Sequence, residues 1–187
     1  MISTTKFAFF IIVFYLFSFN YMNSSSTLAE ARQLYYKATK EEEAVEPAIE
    51  MFEKIKEQSN YTAVAKTYLG SLLMLKGKYA FWPQKKVQFV NEGLKVMDEG
   101  LAIDPDNLEG LFIYGSTCYY LPFFFSKADD AKAKLVKIVD LMSAGKVFSS
   151  NKLAKNAIDF ILKNIELDSQ RKEKAEKLFA ELKKKND

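Results

Sequence analysis

The chain has 187 residues, 49% of them hydrophobic and 27% charged, and its net charge of +3 is spread over interspersed acids and bases. This excludes a disordered chain, supports one domain with a real core, and gives no case for a nucleic-acid partner. There is no histidine and a single cysteine, Cys118, so imidazole acid–base chemistry, histidine-activated nucleophiles, histidine-ligated metals and intramolecular disulfides are all excluded.

Met1 to Ser26 reads as a signal peptide. Lys6 supplies the basic start, Phe7 to Phe17 an unbroken apolar run, and polar and small residues follow up to Ser26. The run is short for a spanning helix, which needs about 20 residues. The alternative is an uncleaved anchor over residues 7–22. Cleavage near Ser26 is preferred to cleavage after Ala31, because Thr27 and Glu30 form a capping box for the next helix. The mature domain, residues 27–187, is then expected outside the cytoplasm, periplasmic or secreted.

Seven Gly and four Pro are few for this length, and β-branched residues do not alternate with polar ones. The expected class is all-α, an α-α superhelix of about four helical hairpins. The first pairs a helix through Leu28, Ala31, Tyr35 and Ala38 with one through Val45, Ile49, Phe52 and Ile55, and Pro47 falls in the first turn where proline is tolerated. Lys40 to Glu43 between them reads as a solvated turn. The second hairpin starts with Tyr61, Val64, Ala65, Tyr68, Leu69, Leu72 and Leu73, a face broad enough to be buried on two sides, and is expected to break at Gly77.

A connector from Lys78 to Lys86 follows, holding the only tryptophan, Trp82. Its aromatics beside lysines either form a ligand platform or fold back to cap the core. In the next helix Gly93, Met97, Gly100 and Leu101 form a narrow seam for close helix approach, and Pro105 ends it. Asp106 and Glu109 suggest a capping box for the helix through Leu111, Phe112, Gly115, Cys118 and Tyr119. Cys118 lies on its apolar side, as a small buried hydrophobe does. Pro122 must end that helix, and Phe123, Phe124 and Phe125 cannot all point inward.

A returning helix carries Ala131, Leu135, Ile138, Val139 and Met142. The last hairpin has the cleanest period, Leu153, Ala154, Ala157, Ile158, Ile161, Leu162 and Ile165, then Ala175, Leu178, Phe179 and Leu182. Its final helix ends in Lys183-Lys184-Lys185-Asn186-Asp187, a charged outer face of the kind that caps a solenoid.

The hairpins resemble tetratricopeptide repeats, whose second helix carries small, large and small residues followed by proline. Gly93, Met97, Gly100 and Pro105 match in full, and Leu101 to Asn107 looks like a repeat junction. Ala48, Phe52 and Ile55 match without the proline. The large residues Phe52, Met97, Leu135 and Phe179 recur at intervals of 45, 38 and 44, against about 34 in the family. The resemblance implies an interaction scaffold whose concave face, lined by the first helices, binds a protein or peptide, with no catalytic residues, cofactor or metal. Tyr35, Tyr68 and Tyr114 are polar-tipped aromatics suited to such a groove.

The candidate contacts are Tyr68, Tyr79, Trp82, Tyr114, Tyr119, Tyr120, Phe123 and Phe124. The expected function is a non-enzymatic extracytoplasmic binding module. The alternative is a small-ligand-binding component working with a membrane transport component, with Trp82, Tyr119, Phe123 and Phe124 lining an apolar pocket.

Overall fold

A computed structural model describes residues 27–184. The proposed signal segment, residues 1–26, and the last three residues of the lysine-rich tail lie outside the described residues. Among these the protein is an all-α stack of helical hairpins without strands. The helices are α1 (27–38), α2 (Val45–Lys56), α3 (Thr62–Tyr79), α4 (Pro83–Ile103), α5 (Leu108–Tyr119), α6 (Ala128–Ser143), α7 (Asn151–Asn164) and α8 (Ser169–Lys184). Within hairpins α3 packs on α4, α5 on α6 and α7 on α8, and the stack is joined by α2 on α3, α3 on α5 and α6 on α8.

The first hairpin is clamped onto the second by aromatic rings. Tyr68 of α3 lies between Tyr35 of α1, edge-on at 4.8 Å, and Phe52 of α2, stacked at 4.5 Å. Offset and edge geometries of this kind add about 0.5–1.5 kcal/mol beyond burial alone. The α3–α4 seam is tighter than the sequence pattern predicts, because Gly93 meets a second glycine, Gly70, across it. A Cβ added to either would fall on the other's carbonyl oxygen.

Two boundaries differ from expectation. The second hairpin does not break at Gly77: α3 continues to Tyr79 and α4 starts at Pro83, so the connector is only residues 80–82. Gly77 reads as a breaker, yet here it admits a neighbour, since its Cβ would sit 3.1 Å from the Lys86 carbonyl oxygen. Pro83 occupies the first turn of α4, where its missing N–H leaves nothing unpaired.

The cap of α5 also lies one residue beyond Asp106. The Asn107 side chain accepts from the Gly110 N–H at 2.9 Å, while Asp106 turns outward to Lys137 at 2.7 Å and Lys146 at 3.6 Å. The hydrogen bond from Lys137 holds the Asp106 carboxyl below its usual range. Asn107→Ala is expected to cost about 1 kcal/mol, whereas Asp106→Ala should cost less because its partners are exposed. Paired thermal melts of the two variants check this order.

Candidate functional site: an acid-free cleft along the first helices

Beneath the inner face lies a buried polar network built by α1, α3 and α5. Glu109 is 6% exposed. Arg32 of α1 donates to both its carboxylate oxygens at 2.6 Å, and the Tyr68 hydroxyl donates at 2.7 Å. The Arg32 guanidinium also reaches the Ser149 hydroxyl at 3.0 Å, which ties α1 to the segment before α7. Beside this, hydroxyls run from Tyr35 to Ser71 to Thr117, each step 2.9 Å.

Above the network three cavities abut. One of about 620 Å³ lies between α1 and the start of α7, with Arg32, Tyr36, Lys40, Lys152 and Leu153 on its walls. A second of about 430 Å³ shares Tyr36 and Thr39 with it and is floored by Leu75, Phe112 and Ser116. The third, about 450 Å³, shares Ser71, Leu75, Lys78, Thr117 and Tyr120 with the second and ends against Pro83, Val87, Phe124 and Phe125. Together they make one cleft along the side of the stack lined by α1, α3, α5 and the start of α7. No residue lining it is Asp or Glu. Lys40, Lys78, Lys86 and Lys152 are exposed, and among the described residues none of them forms an ion pair.

Compared with protein-family models, curated proteins and solved structures, the chain matches none.

The predicted contacts divide sharply. Tyr68 and Tyr114 are core residues at 0% exposure, so their rings are closed to any partner. The Tyr68 phenol is held neutral by burial and by the adjacent Glu109 charge. Tyr114 donates to Asp130 at 2.6 Å and lies under Lys134, whose ammonium is 4.4 Å from the ring centre. Burial works against ionisation of Asp130, but hydrogen bonds from Lys134 and Tyr114 outweigh it and keep its carboxyl below the usual range. Tyr35 is likewise buried, and the exposed tyrosine of that turn is Tyr36. Tyr79 is half-buried, its hydroxyl donating to the Ala38 carbonyl at 3.3 Å.

Tyr120 lines the cleft, while Tyr119 packs edge-on against Phe160 at 5.5 Å. Phe124 lines the third cavity, but Trp82, Tyr119 and Phe123 do not. Phe81 and Trp82 do not fold back onto the core; they project into solvent as an edge-on pair at 5.1 Å. The connector is too short to turn them inward, since Pro83 starts the next helix immediately.

Reading the sequence missed Tyr36, Phe112, Lys40 and Lys152 as cleft residues, while Lys78 and Lys86 fall in the connector it singled out. Tyr36 is one residue from a core tyrosine, and helical spacing alone separates the two. Burial pushes the Cys118 thiol up to about 12, with nearby Lys127 opposing it, which is the behaviour of a core residue and not of a nucleophile. Among the described residues no cluster of Cys, Asp or Glu is arranged to hold a metal, and no helix is long and apolar enough to cross a membrane.

Proposed function

We propose that this protein is a non-enzymatic, extracytoplasmic helical-repeat module, divergent from tetratricopeptide repeats, whose inner cleft binds an extended segment of a partner protein. The observation that carries the reading is the cleft itself: three connected cavities, floored by side chains of α1, α3, α5 and α7, with cations on the walls and no carboxylate. Such a surface suits a chain with acidic residues beside an apolar anchor, since like charge would be penalised and opposite charge steered in. The apolar signal-like segment ahead of residue 27 supports the export half of the proposal.

Panning a displayed peptide library against the protein tests it. Selected peptides should be enriched in Asp and Glu next to an aromatic or aliphatic residue. Lys40→Glu/Lys152→Glu should weaken them about thirtyfold or more, because each reversal turns an exposed attraction of ~0.5–1 kcal/mol into a repulsion of similar size. Selection of no peptide, or of peptides that bind the charge-reversed variant equally well, overturns the reading.

The third cavity favours one second reading. It is lined mainly by apolar side chains, including Met74, Val87, Val90, Leu121 and Phe125, and a cavity of about 450 Å³ has the size of a small-ligand pocket. In that case the protein delivers an apolar small molecule to a membrane transport component. Native mass spectrometry of the purified protein should then reveal a bound mass that Val90→Trp, which fills the cavity, removes.

A further inference from the structure

A set of aromatic rings is exposed at one end of the stack, two of which, Tyr120 and Phe124, also border the third cavity. Phe81 is 84% exposed, Trp82 64%, Tyr120 72%, Phe123 92% and Phe124 63%. They sit on two adjacent tips, the α3–α4 connector and the α5–α6 connector. These tips share an end because α3 and α5 pack together as first helices, and the third cavity runs from Pro83 and Val87 of one tip to Phe124 and Phe125 of the other. Lys78, Lys85 and Lys86 surround the first tip, and all three are exposed. The sequence holds no Asp or Glu between Glu57 and Glu92, nor between Glu109 and Asp129, so neither tip carries a carboxylate of its own.

We propose that these two tips form an interfacial membrane anchor, seating the second and third hairpins on an anionic phospholipid bilayer. Composition favours a bilayer over a protein partner. Tryptophan, tyrosine and phenylalanine side by side with lysine is the residue set of the membrane interface, where rings lie at headgroup depth and ammonium groups meet phosphate. The centres of protein–protein contacts are instead depleted of lysine.

The backbone of the tips is suited to that depth. Pro83 and Pro122 have no N–H to strand, and the N–H groups of Ala80, Leu121, Phe125 and Ser126 are bonded within the chain, to Lys76, Cys118, Pro122 and Phe123 carbonyls. The N–H groups of Phe81, Trp82, Phe123 and Phe124 have no partner among the described residues and stay hydrated at that depth, since the headgroup layer holds water and only the hydrocarbon core penalises an unpaired donor.

The outer turns set the tilt. At the same end, where Lys78 reaches the Thr39 carbonyl and Tyr120 meets Phe160, Glu42 and Glu43 on the first hairpin and Glu166 on the fourth are repelled by an anionic surface. Glu41 and Asp168 are already paired with Lys37 and Arg171, so insertion is favoured at the middle two hairpins. This inference does not depend on what the cleft binds.

Trp82 is the only tryptophan in the chain, so its fluorescence reports this tip alone. The full chain is mixed with vesicles of phosphatidylcholine and phosphatidylglycerol, with and without brominated acyl chains. Trp82 emission should move to shorter wavelength and be quenched by the bromine. Phe123→Ser/Phe124→Ser keeps Trp82 and the first 26 residues; it should lose the wavelength shift and partition about tenfold less well, because two exposed rings no longer leave water. Lys85→Glu/Lys86→Glu should lose binding to the phosphatidylglycerol mixture while leaving any weak binding to pure phosphatidylcholine unchanged.

Three results overturn the proposal. One is Trp82 emission that stays unshifted while the protein sediments with vesicles, which places attachment elsewhere. Another is a tip variant that behaves as the parent. The third is a shift that needs no vesicles and grows with protein concentration, which makes the tips a self-association surface.

Discussion

Glu109→Ala is expected to be among the most destabilising single substitutions outside the apolar core, by about 3–5 kcal/mol. The carboxylate accepts a forked pair from Arg32 at 2.6 Å and the Tyr68 hydroxyl at 2.7 Å. Truncation strands a phenol that is wholly buried, a loss of about 1–3 kcal/mol by itself. It also leaves the Arg32 guanidinium without its counter-charge. The side chain of Arg32 keeps 20% of its exposure, so water recovers part of that charge and the expected loss falls toward the lower end of the range. For a domain of this size the melting temperature should fall by about 10 °C, at ~2–4 °C per kcal/mol.

The coupling is as informative as the size. Tyr68→Phe removes one hydrogen bond and keeps the ion pair, so it should cost about 1 kcal/mol. Arg32→Met with Glu109→Leu removes both charges, and its cost should be well below the sum of the singles, because no buried charge is left unpaired. Urea denaturation of these variants checks the cycle. Equal costs for the double and the summed singles would mean that the bridge contributes no coupling. Since Glu109 joins α1 to α5 while Arg32 reaches Ser149, the variant should also loosen the cavity between α1 and α7.

Much of the fold was legible because its signals are local. Gly93, Met97 and Gly100 at helical spacing disclose a close helix contact, and Pro105 and Pro122 mark where helices stop. The paired periodicities place the hairpins in order. Glu109 was not legible in this way. Near a helix start a glutamate has the pattern of a capping residue, and only a partner 77 positions away in the chain makes it a core carboxylate.

The candidate contacts show the same limit. Tyr68 lies in a helix apolar on nearly all sides, which already argues for burial over groove contact. Trp82 and Phe123 have no period to read, since side-chain direction in a short connector depends on where the flanking helices begin. Polar clefts are harder still, because the absence of carboxylates from a wall is a property of several helices together.

Gly93→Ala should cost about 3 kcal/mol, the upper part of the usual range for overpacking. A methyl group there normally favours a helix by ~1 kcal/mol relative to glycine, so a net loss must come from packing. What the methyl meets includes backbone that cannot swing aside: the Gly70 carbonyl oxygen is its nearest neighbour and the Met74 backbone nitrogen lies at 3.3 Å, while the Met74 Cγ at 2.5 Å belongs to a flexible side chain that can move only in part. Relief requires α3 and α4 to separate along the whole seam, which also holds Gly100 against the Ala63 carbonyl and Thr67.

Gly70→Ala should cost about the same, because the two glycines face each other's carbonyls. The double variant should then cost clearly less than the sum, since one separation of the helices accommodates both methyls. Additive costs would show that the two sites yield independently and that the seam is not one rigid contact. Gly145 offers the control. Its φ of +96° strains any side chain, but no atom lies within 4 Å of an added Cβ. Gly145→Ala should therefore cost only the ~1 kcal/mol of an unfavourable backbone.

Opening the seam has a functional consequence that separates the two ends of the cleft. Pro83, Lys86 and Val87 travel with α4, so Gly93→Ala should widen the cavity beside Phe124 and shift the Trp82 tip. The wall formed by α1 and α7 does not involve α4. Peptides held at Lys40 and Lys152 should keep their affinity in this variant, while a small apolar ligand of the third cavity should be lost.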